Sequence, residues 1–135
     1  MIKYGGDRAF YSPVGDFIQM PGFTQFKSPE GYVSTLSHES AHWSGSPYRL
    51  NRDLAGRFGD ERYGTEELIA ELTSSFLCAD LQIRSEPRVD HAPYIASWLK
   101  VLKNDKKAIF TAASKAQEAA DYLQQLASVA QECAS

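Results

Sequence analysis

The sequence predicts an α+β fold, with an N-terminal β-hairpin or small antiparallel sheet followed by four helices. Two observations carry this prediction. Residues 1 to about 27 contain short aromatic and β-branched runs broken by Pro and Gly, which is typical of strands and turns. Residues 28–135 contain helix-capping residues and apolar residues at helical spacing. At 135 residues and 15.0 kDa, the chain is expected to form one domain over 1–135.

The composition excludes several classes of protein. The longest apolar runs are only a few residues, so no membrane span is predicted. The net charge of −3 gives no electrostatic reason for this chain alone to bind nucleic acid. Two cysteines, Cys78 and Cys133, are too few for a disulfide framework or a cysteine-based zinc site. With no apolar signal core at the N-terminus, we expect a cytoplasmic protein with reduced thiols.

The first half of the chain predicts a hairpin and then a helix. The runs "RAFY" and "DFIQM" are separated by "SPVG", which favours a hairpin over about residues 8–20. Ser28 and Pro29 form a typical helix start, with Ser as the N-cap and Pro at the first helical position. This helix is expected to run to about Trp43 and to stop at Gly45 and Pro47.

Three further helices are predicted after a long connection over residues 45–64. Thr65 is the expected N-cap of a helix over about 66–81. Helices over about 91–103 and 105–130 follow, the last of them rich in alanine. The connection contains four arginines among acidic residues, which favours a solvated face over a contact surface: Arg49, Arg52, Arg57 and Arg62.

The stretch "SHESAHWSG" contains the HExxH pattern. His38 and His42 stand four apart, within about 40° of one another on a helix. They are expected to point away from the apolar stripe of the same helix, which holds Trp43. Two imidazoles side by side suit one tetrahedral zinc ion. Glu39 lies beside them, where a carboxylate can take a proton from a water molecule as a general base.

A catalytic zinc site needs a third protein ligand. Extending the motif to Tyr48 gives the metzincin outline, but with Tyr in place of the third His. The Met-turn of that family is also absent, because Met1 and Met20 both precede the motif. We therefore reject a metzincin site.

The next long helix offers carboxylates instead. Glu67 and Glu71 share one side of it with small residues, and apolar residues centre on another side. Either acid can be the ligand while the other supports a ligating histidine. We favour Glu67 as the ligand. Glu66 is expected only to complement the helix dipole.

Three further residues are candidates for binding substrate or stabilising an oxyanion. His91 is the only other histidine, although a position just after the N-cap of its helix is the simpler expectation. Tyr48 and Tyr63 flank the motif, and either phenol could donate to an oxyanion. For both tyrosines, packing is the competing interpretation.

The chain resembles the zincin-like metallopeptidase domain at the C-terminus of ArdC-type antirestriction proteins and related plasmid and phage polyproteins. The resemblance covers nearly the whole chain and rests on stretches that include "GGDRAFYSP", "TLSHESAHWSG", "RLNRDLAGRFGD" and "EELIAEL". It implies a gluzincin-like site at His38, His42 and a Glu of "EELIAE", with Glu39 as catalytic acid and base. Single-stranded DNA is implied only by family context, through an N-terminal domain that we expect this chain to lack.

Two functions follow from these observations. The first is zinc-dependent hydrolysis of a peptide or protein, with one Zn²⁺ per chain and "DFIQM" as the edge strand that binds substrate. It would act in a context of antirestriction and conjugation. The alternative is a zinc-containing interaction module without catalysis, for DNA, restriction enzymes or conjugation proteins. A purely structural metal site is the least favoured interpretation. Such a site needs four protein ligands, and the motif and the next helix provide only two histidines and the acids of that helix.

Overall fold

Three short strands begin the chain: Ile2–Tyr4 (β1), Phe10–Ser12 (β2) and Phe17–Met20 (β3). The computed structural model describes residues 1–56, 60–84 and 92–135. Strands β2 and β3 form the predicted hairpin, with Tyr11 opposite Ile18. Strand β1, however, runs parallel to β3, so the sheet is mixed, whereas the prediction was an antiparallel sheet. Gly5 and Gly6, both at positive φ, redirect the chain after β1 and make this crossing possible.

The sheet order β1-β3-β2 places the "DFIQM" segment at the centre. The prediction that it is an edge strand is therefore wrong. Ile18 and Met20 of β3 are buried, as expected of alternate residues on a strand that packs on a helix. Within the described part of the chain, β1 and β2 form the edges of the sheet.

The first helix, α1 (Pro29–Ser44), begins as predicted. The N–H of Gly31 donates to Ser28 Oγ at 3.0 Å, and Pro29 occupies the first turn. The helix ends at Gly45, whose N–H donates to the carbonyl of His42. Gly45 has an ordinary negative φ, so its backbone conformation does not require glycine. Glycine is needed there because a larger residue would have no space for its side chain. A Cβ would lie 2.7 Å from Nη2 of Arg52.

The second helix, α2 (Glu61–Asp80), begins earlier than predicted. Its N-cap is Asp60, whose carboxylate accepts a hydrogen bond from the N–H of Tyr63 at 3.0 Å. Thr65, the predicted cap, lies inside the helix, and its hydroxyl donates to the Glu61 carbonyl at 2.8 Å. The preceding connection is therefore shorter than expected.

Helices α3 (Ala92–Asn104) and α4 (Ala108–Ala134) follow, close to the predicted bounds. Helix α2 packs against α1, α3 and α4, so it forms the centre of the helical layer. An apolar core joins α2 to α4 and α3 through Leu68, Ile69, Leu72, Phe76, Trp98, Leu102, Ala112 and Ala116. Among the described residues, no helix has the length and apolarity needed to cross a membrane.

The buried face of α1 differs from the predicted one. The apolar residues Val33, Leu36 and Trp43 are only half-buried. The fully buried residues are small or polar: Ser34, Ser37, His38, Glu39, Ala41 and Ser44. These residues pack against α2, where Ser74 Oγ donates to the Ser34 carbonyl at 2.8 Å. Small side chains let the helices approach closely, and the polar groups find partners across the interface.

Candidate metal centre

Three side chains converge between α1 and α2. His38 Nε2 lies 3.1 Å from His42 Nε2. One carboxylate oxygen of Glu67 lies 3.3 Å from His38 Nε2, and the other lies 3.2 Å from His42 Nε2. The spacing of four residues places both rings on one face of α1, and the packing of α2 places Glu67 against them. These three residues offer ligand atoms that all lie within 4.8 Å of one another.

The spacing of these atoms fits a metal ion. A tetrahedral ion with metal–ligand bonds of about 2.0–2.1 Å separates its ligand atoms by about 3.3–3.4 Å. The three closest separations here are 3.1, 3.2 and 3.3 Å, with each histidine approaching a different oxygen of the Glu67 carboxylate. Two imidazole nitrogens and one carboxylate are also a donor set that zinc and related divalent ions accept. The residues therefore fit the group that the HExxH pattern predicts.

Both histidines have a second carboxylate on the opposite side of the ring. His38 Nδ1 lies 3.0 Å from Glu71 Oε2, and His42 Nδ1 lies 3.2 Å from Glu66 Oε1. Such contacts fix the orientation of a ligating imidazole. Glu71 thus lies on the far side of His38 from the point of convergence, whereas Glu67 lies at that point. The expectation that Glu66 only complements the helix dipole is wrong, because it is buried and contacts His42.

An arginine from the long connection holds Glu66. Arg52 Nε and Nη2 donate to the two oxygens of Glu66 at 3.0 and 2.8 Å. The side chain of Arg52 is only 6% exposed. The predicted solvated face is therefore wrong for Arg52 and for Arg49, which is similarly buried, whereas Arg62 is exposed as expected. Arg57 lies outside the described residues.

The charges of the site shift the pKa values of its members. Burial alone would lower the pKa of His42, but hydrogen bonds to Glu66 and Glu67 and nearby negative charges outweigh it and raise the pKa to about 10. Burial would raise the pKa of Glu67, yet hydrogen bonds from the two histidines hold it well below its usual range. Hydrogen bonds from Arg52 and His42 likewise hold the pKa of buried Glu66 low. The carboxylates thus stay ionised, as metal ligands and their supports must, whereas His42 holds a proton at neutral pH that it would have to release on binding a metal ion.

A cavity of about 510 Å³ opens beside the three convergent side chains. Glu39, which is 3% exposed, lines it together with both histidines and Glu67. Tyr63 also lines the cavity, whereas Tyr48 is 88% exposed and lies outside the lining. The predicted role of His91 concerns a residue outside the described part of the chain.

One wall of the cavity is formed by the start of the hairpin, including Phe10 and Tyr11 of β2. This wall is tied to the end of α1. Arg49 donates to Asp16 in the hairpin turn at 2.6–2.7 Å, and its guanidinium stacks 3.6 Å above the ring of Trp43. The hydroxyl of Tyr11 donates to the same Asp16 at 2.9 Å. Burial and this contact with Asp16 raise the pKa of Tyr11 to about 12.

Sequence reasoning missed Glu66 and Arg52 as parts of this site. The available signal was an arginine-rich connection directly before a helix that begins with several acids. Such a pattern is more often solvated, so it did not identify a buried pair.

Comparison with known proteins gives close relatives. Protein y4eC of Sinorhizobium fredii is 52% identical over 122 residues, which are 90% of this chain and 40% of that protein. A DNA primase TraC of Escherichia coli is 46% identical over 123 residues, or 90% of this chain and 12% of that protein. The chain therefore spans well under half the length of these relatives.

Solved structures show the same architecture. The metal-free antirestriction protein ArdC from plasmid R388 matches with a TM-score of 0.80 and 46% identity, over 92% of this chain and 45% of that chain. The Mn(II)-bound ArdC structure matches with a TM-score of 0.79 and 47% identity, over 92% of this chain and 46% of that chain. The predicted α+β fold of zincin-like type is confirmed by this match.

The family comparison covers most of the chain. A family model described as zincin-like metallopeptidase matches residues 1–115. This range contains the sheet, α1, α2, α3 and the convergent side chains His38, His42 and Glu67. The resemblance inferred from the sequence motifs is confirmed, and the chain belongs to the zincin-like metallopeptidase family.

Proposed function

We propose that this chain is a zinc-dependent peptidase domain of the gluzincin type. The observation that carries the proposal is the convergence of two imidazole nitrogens and one carboxylate at separations of 3.1–3.3 Å. That spacing fits the ligand shell of one tetrahedral ion. Membership of the zincin-like metallopeptidase family supports the same assignment.

In this proposal, His38, His42 and Glu67 hold the ion, and Glu66 and Glu71 orient the two imidazoles. A zinc ion there would supply a Lewis acid that polarises the scissile carbonyl and makes water more acidic. Glu39 is the general base. Its carboxylate lines the same cavity, takes a proton from the attacking water and passes it to the leaving amine.

The edge of the sheet supports a peptide substrate. Strand β2 lies at an edge of the sheet that the described residues form, and its residues Phe10 and Tyr11 line the cavity. An extended peptide can add to such an edge through main-chain hydrogen bonds. This assigns substrate binding to β2 in place of the central β3. Tyr63, which lines the same cavity, is the remaining tyrosine candidate for donating to an oxyanion.

We infer that the domain acts in an antirestriction or conjugation context inside the cell. The similarity to the antirestriction protein ArdC of plasmid R388 and to the primase TraC supports this. Because the chain spans less than half of each relative, we do not assign the DNA primase activity of TraC to this chain.

Metal analysis tests the site directly. Purified wild-type protein should bind one equivalent of zinc after incubation with zinc and gel filtration, whereas His42→Ala should bind much less. Elemental mass spectrometry after incubation with zinc and manganese together would identify the preferred ion. Equal metal content in wild type and His42→Ala would contradict the proposed centre.

Glu39→Gln separates catalysis from binding. This variant should keep its metal, because Glu39 is not among the three convergent residues, and should lose hydrolysis of a casein or peptide-library substrate by about a hundredfold or more. Loss of metal in Glu39→Gln would contradict the base assignment.

A second function deserves a direct test, because the similar proteins ArdC and TraC are an antirestriction protein and a DNA primase. In an interaction module without catalysis, Glu39→Gln would retain full antirestriction in cells. In a peptidase, the same substitution would abolish it.

A further inference from the structure

We propose that Arg52 is a positioning residue for the metal centre. Its guanidinium fixes Glu66, and Glu66 holds His42 so that Nε2 faces the point shared with His38 and Glu67. This inference rests on the proposed metal site. It assigns a role to a residue that lies ten positions beyond the HExxH motif and reaches the proposed ligand His42 through Glu66.

The contacts of Arg52 link the two helices that carry the ligands. It donates to both oxygens of Glu66 on α2, at 3.0 and 2.8 Å. It also donates to the carbonyl of Ala41 at 2.6 Å and to Ser44 Oγ at 3.2 Å, both on α1. Glu66 Oε1, which accepts from Arg52, is the same oxygen that faces His42 Nδ1 at 3.2 Å. If Arg52 moved, the carboxylate of Glu66 would therefore transmit the movement directly to the imidazole of His42.

The two histidines are supported differently. The carboxylate beside His38, that of Glu71, is 19% exposed, so water can help to hold it. The carboxylate beside His42, that of Glu66, is 9% exposed, and its arginine partner is 6% exposed. A buried carboxylate that loses the guanidinium paired with it is costly to keep in place. Without Arg52, Glu66 would turn toward solvent and release the ring of His42.

The chain also leaves room for this arginine. A Cβ at Gly45 would lie 2.7 Å from Nη2 and 2.9 Å from Cζ of Arg52. Glycine at the end of α1 therefore lets the guanidinium lie across the helix terminus, where a positive charge is favoured by the helix dipole.

A second cavity, of about 410 Å³, gives access to this pair. Arg52 and Glu66 both line it, together with the exposed Arg62. Removal of the Arg52 side chain would enlarge this cavity next to Glu66. A small guanidinium ion could then enter from solution and replace the missing group.

The test compares Arg52→Ala with Arg49→Ala. Both arginines lie in the same connection, both are buried, and both pair with a carboxylate, but Arg49 pairs with Asp16. Zinc affinity would be measured by competition with a chromophoric chelator, well below the unfolding temperature of each metal-free variant. The visible absorption spectrum of the Co²⁺ form would report ligand geometry.

Arg52→Ala should bind zinc about 10–100-fold more weakly, as expected for loss of a group that orients a ligand, and should show an altered Co²⁺ spectrum. Arg49→Ala should stay within about twofold of wild type with an unchanged spectrum. Methylguanidinium at millimolar concentration should restore much of the zinc affinity of Arg52→Ala. Sodium chloride at the same concentration should not.

Equal zinc affinities and identical Co²⁺ spectra for Arg52→Ala and Arg49→Ala would overturn the inference while leaving the metal site standing. Absence of metal binding by the wild-type chain would overturn both. If Arg52→Ala does not fold, Arg52→Lys decides the question, because an ammonium keeps the charge but cannot bridge both oxygens of Glu66. Arg52→Lys should bind zinc several-fold more weakly, and wild-type affinity with a wild-type spectrum would overturn the inference.

Discussion

Helix α2 has two buried faces of opposite chemistry. Toward α1 it presents Glu66 and Glu67, each 7% exposed. Toward α4 it presents Leu68 and Ile69, which are 7% and 5% exposed. The side chains are equally removed from water, yet the first pair is charged and the second is apolar. Burial alone therefore does not distinguish the site from the core.

The difference lies in what each face requires of its partners. On the apolar face, stability comes from area removed from water and from dense packing, so partners of suitable volume are sufficient. On the charged face, each carboxylate needs specific donors at hydrogen-bond distance, because an unpaired buried charge is costly. The apolar face stabilises the fold, and the charged face contributes Glu67 and Glu66 to the candidate metal centre.

The largest expected effect on the free energy of unfolding comes from a substitution in the apolar face. Ile69→Ala should lower the free energy of unfolding by about 2–5 kcal/mol, because it leaves a cavity in the core around Ala112 and Ala116. Urea denaturation of the metal-free protein measures this loss. Zinc affinity at low temperature should be unchanged in the variant, and a large loss of affinity would show that the two faces are not separable.

The second largest expected effect tests whether the charged face binds a metal ion. Zinc at one hundred times its Kd should raise the free energy of unfolding by about 2.7 kcal/mol, because only the folded chain brings the ligands together. Chelation with EDTA should remove this gain. The gain should be retained in Ile69→Ala and absent in His42→Ala, as measured by urea denaturation. A similar gain in His42→Ala would mean that the ion binds elsewhere.

The smallest expected effect concerns pH. The pKa of Tyr11 is raised to about 12, so the folded state binds this proton more tightly than the unfolded state. Its stabilising contribution is complete below about pH 10 and is lost as pH rises through about 12. Wild type should therefore lose stability more steeply across this range than Tyr11→Phe. Tyr48→Phe, at an exposed tyrosine, is the matched control and should follow wild type.

The elements of the fold were largely predictable, because their signals are local. Ser28 and Pro29 specify the start of α1 through a cap and a fixed φ, both of which act within one turn. The start of α2 was not predictable in this way. Thr65 and Asp60 are both good caps, and the choice depends on where the connection contacts the helix. Gly56 lies so close to α2 that a Cβ there would be 2.4 Å from the nitrogen of Tyr63.

The candidate site was predictable only in part. Sequence spacing places His38 and His42 on one helix face and Glu67 on another helix, and the structure brings these three together. A helical wheel shows which residues share a face, but it does not show which face becomes buried. The pairing of Arg52 with Glu66 also joins residues from a loop and a helix, so no periodic pattern predicts it. The roles of these residues in binding metal and in catalysis stay predictions.

The ion pair between Asp16 and Arg49 has a consequence for how a substrate is accepted. It joins a hairpin turn to the segment after α1 across 33 residues of sequence, and Arg49 also stacks on Trp43 of that helix. This contact thus ties the hairpin wall of the cavity to the C-terminal end of α1. If the chain binds a peptide as proposed, this contact would limit the movement of the cavity wall, and less binding energy would be spent on ordering the site around the peptide.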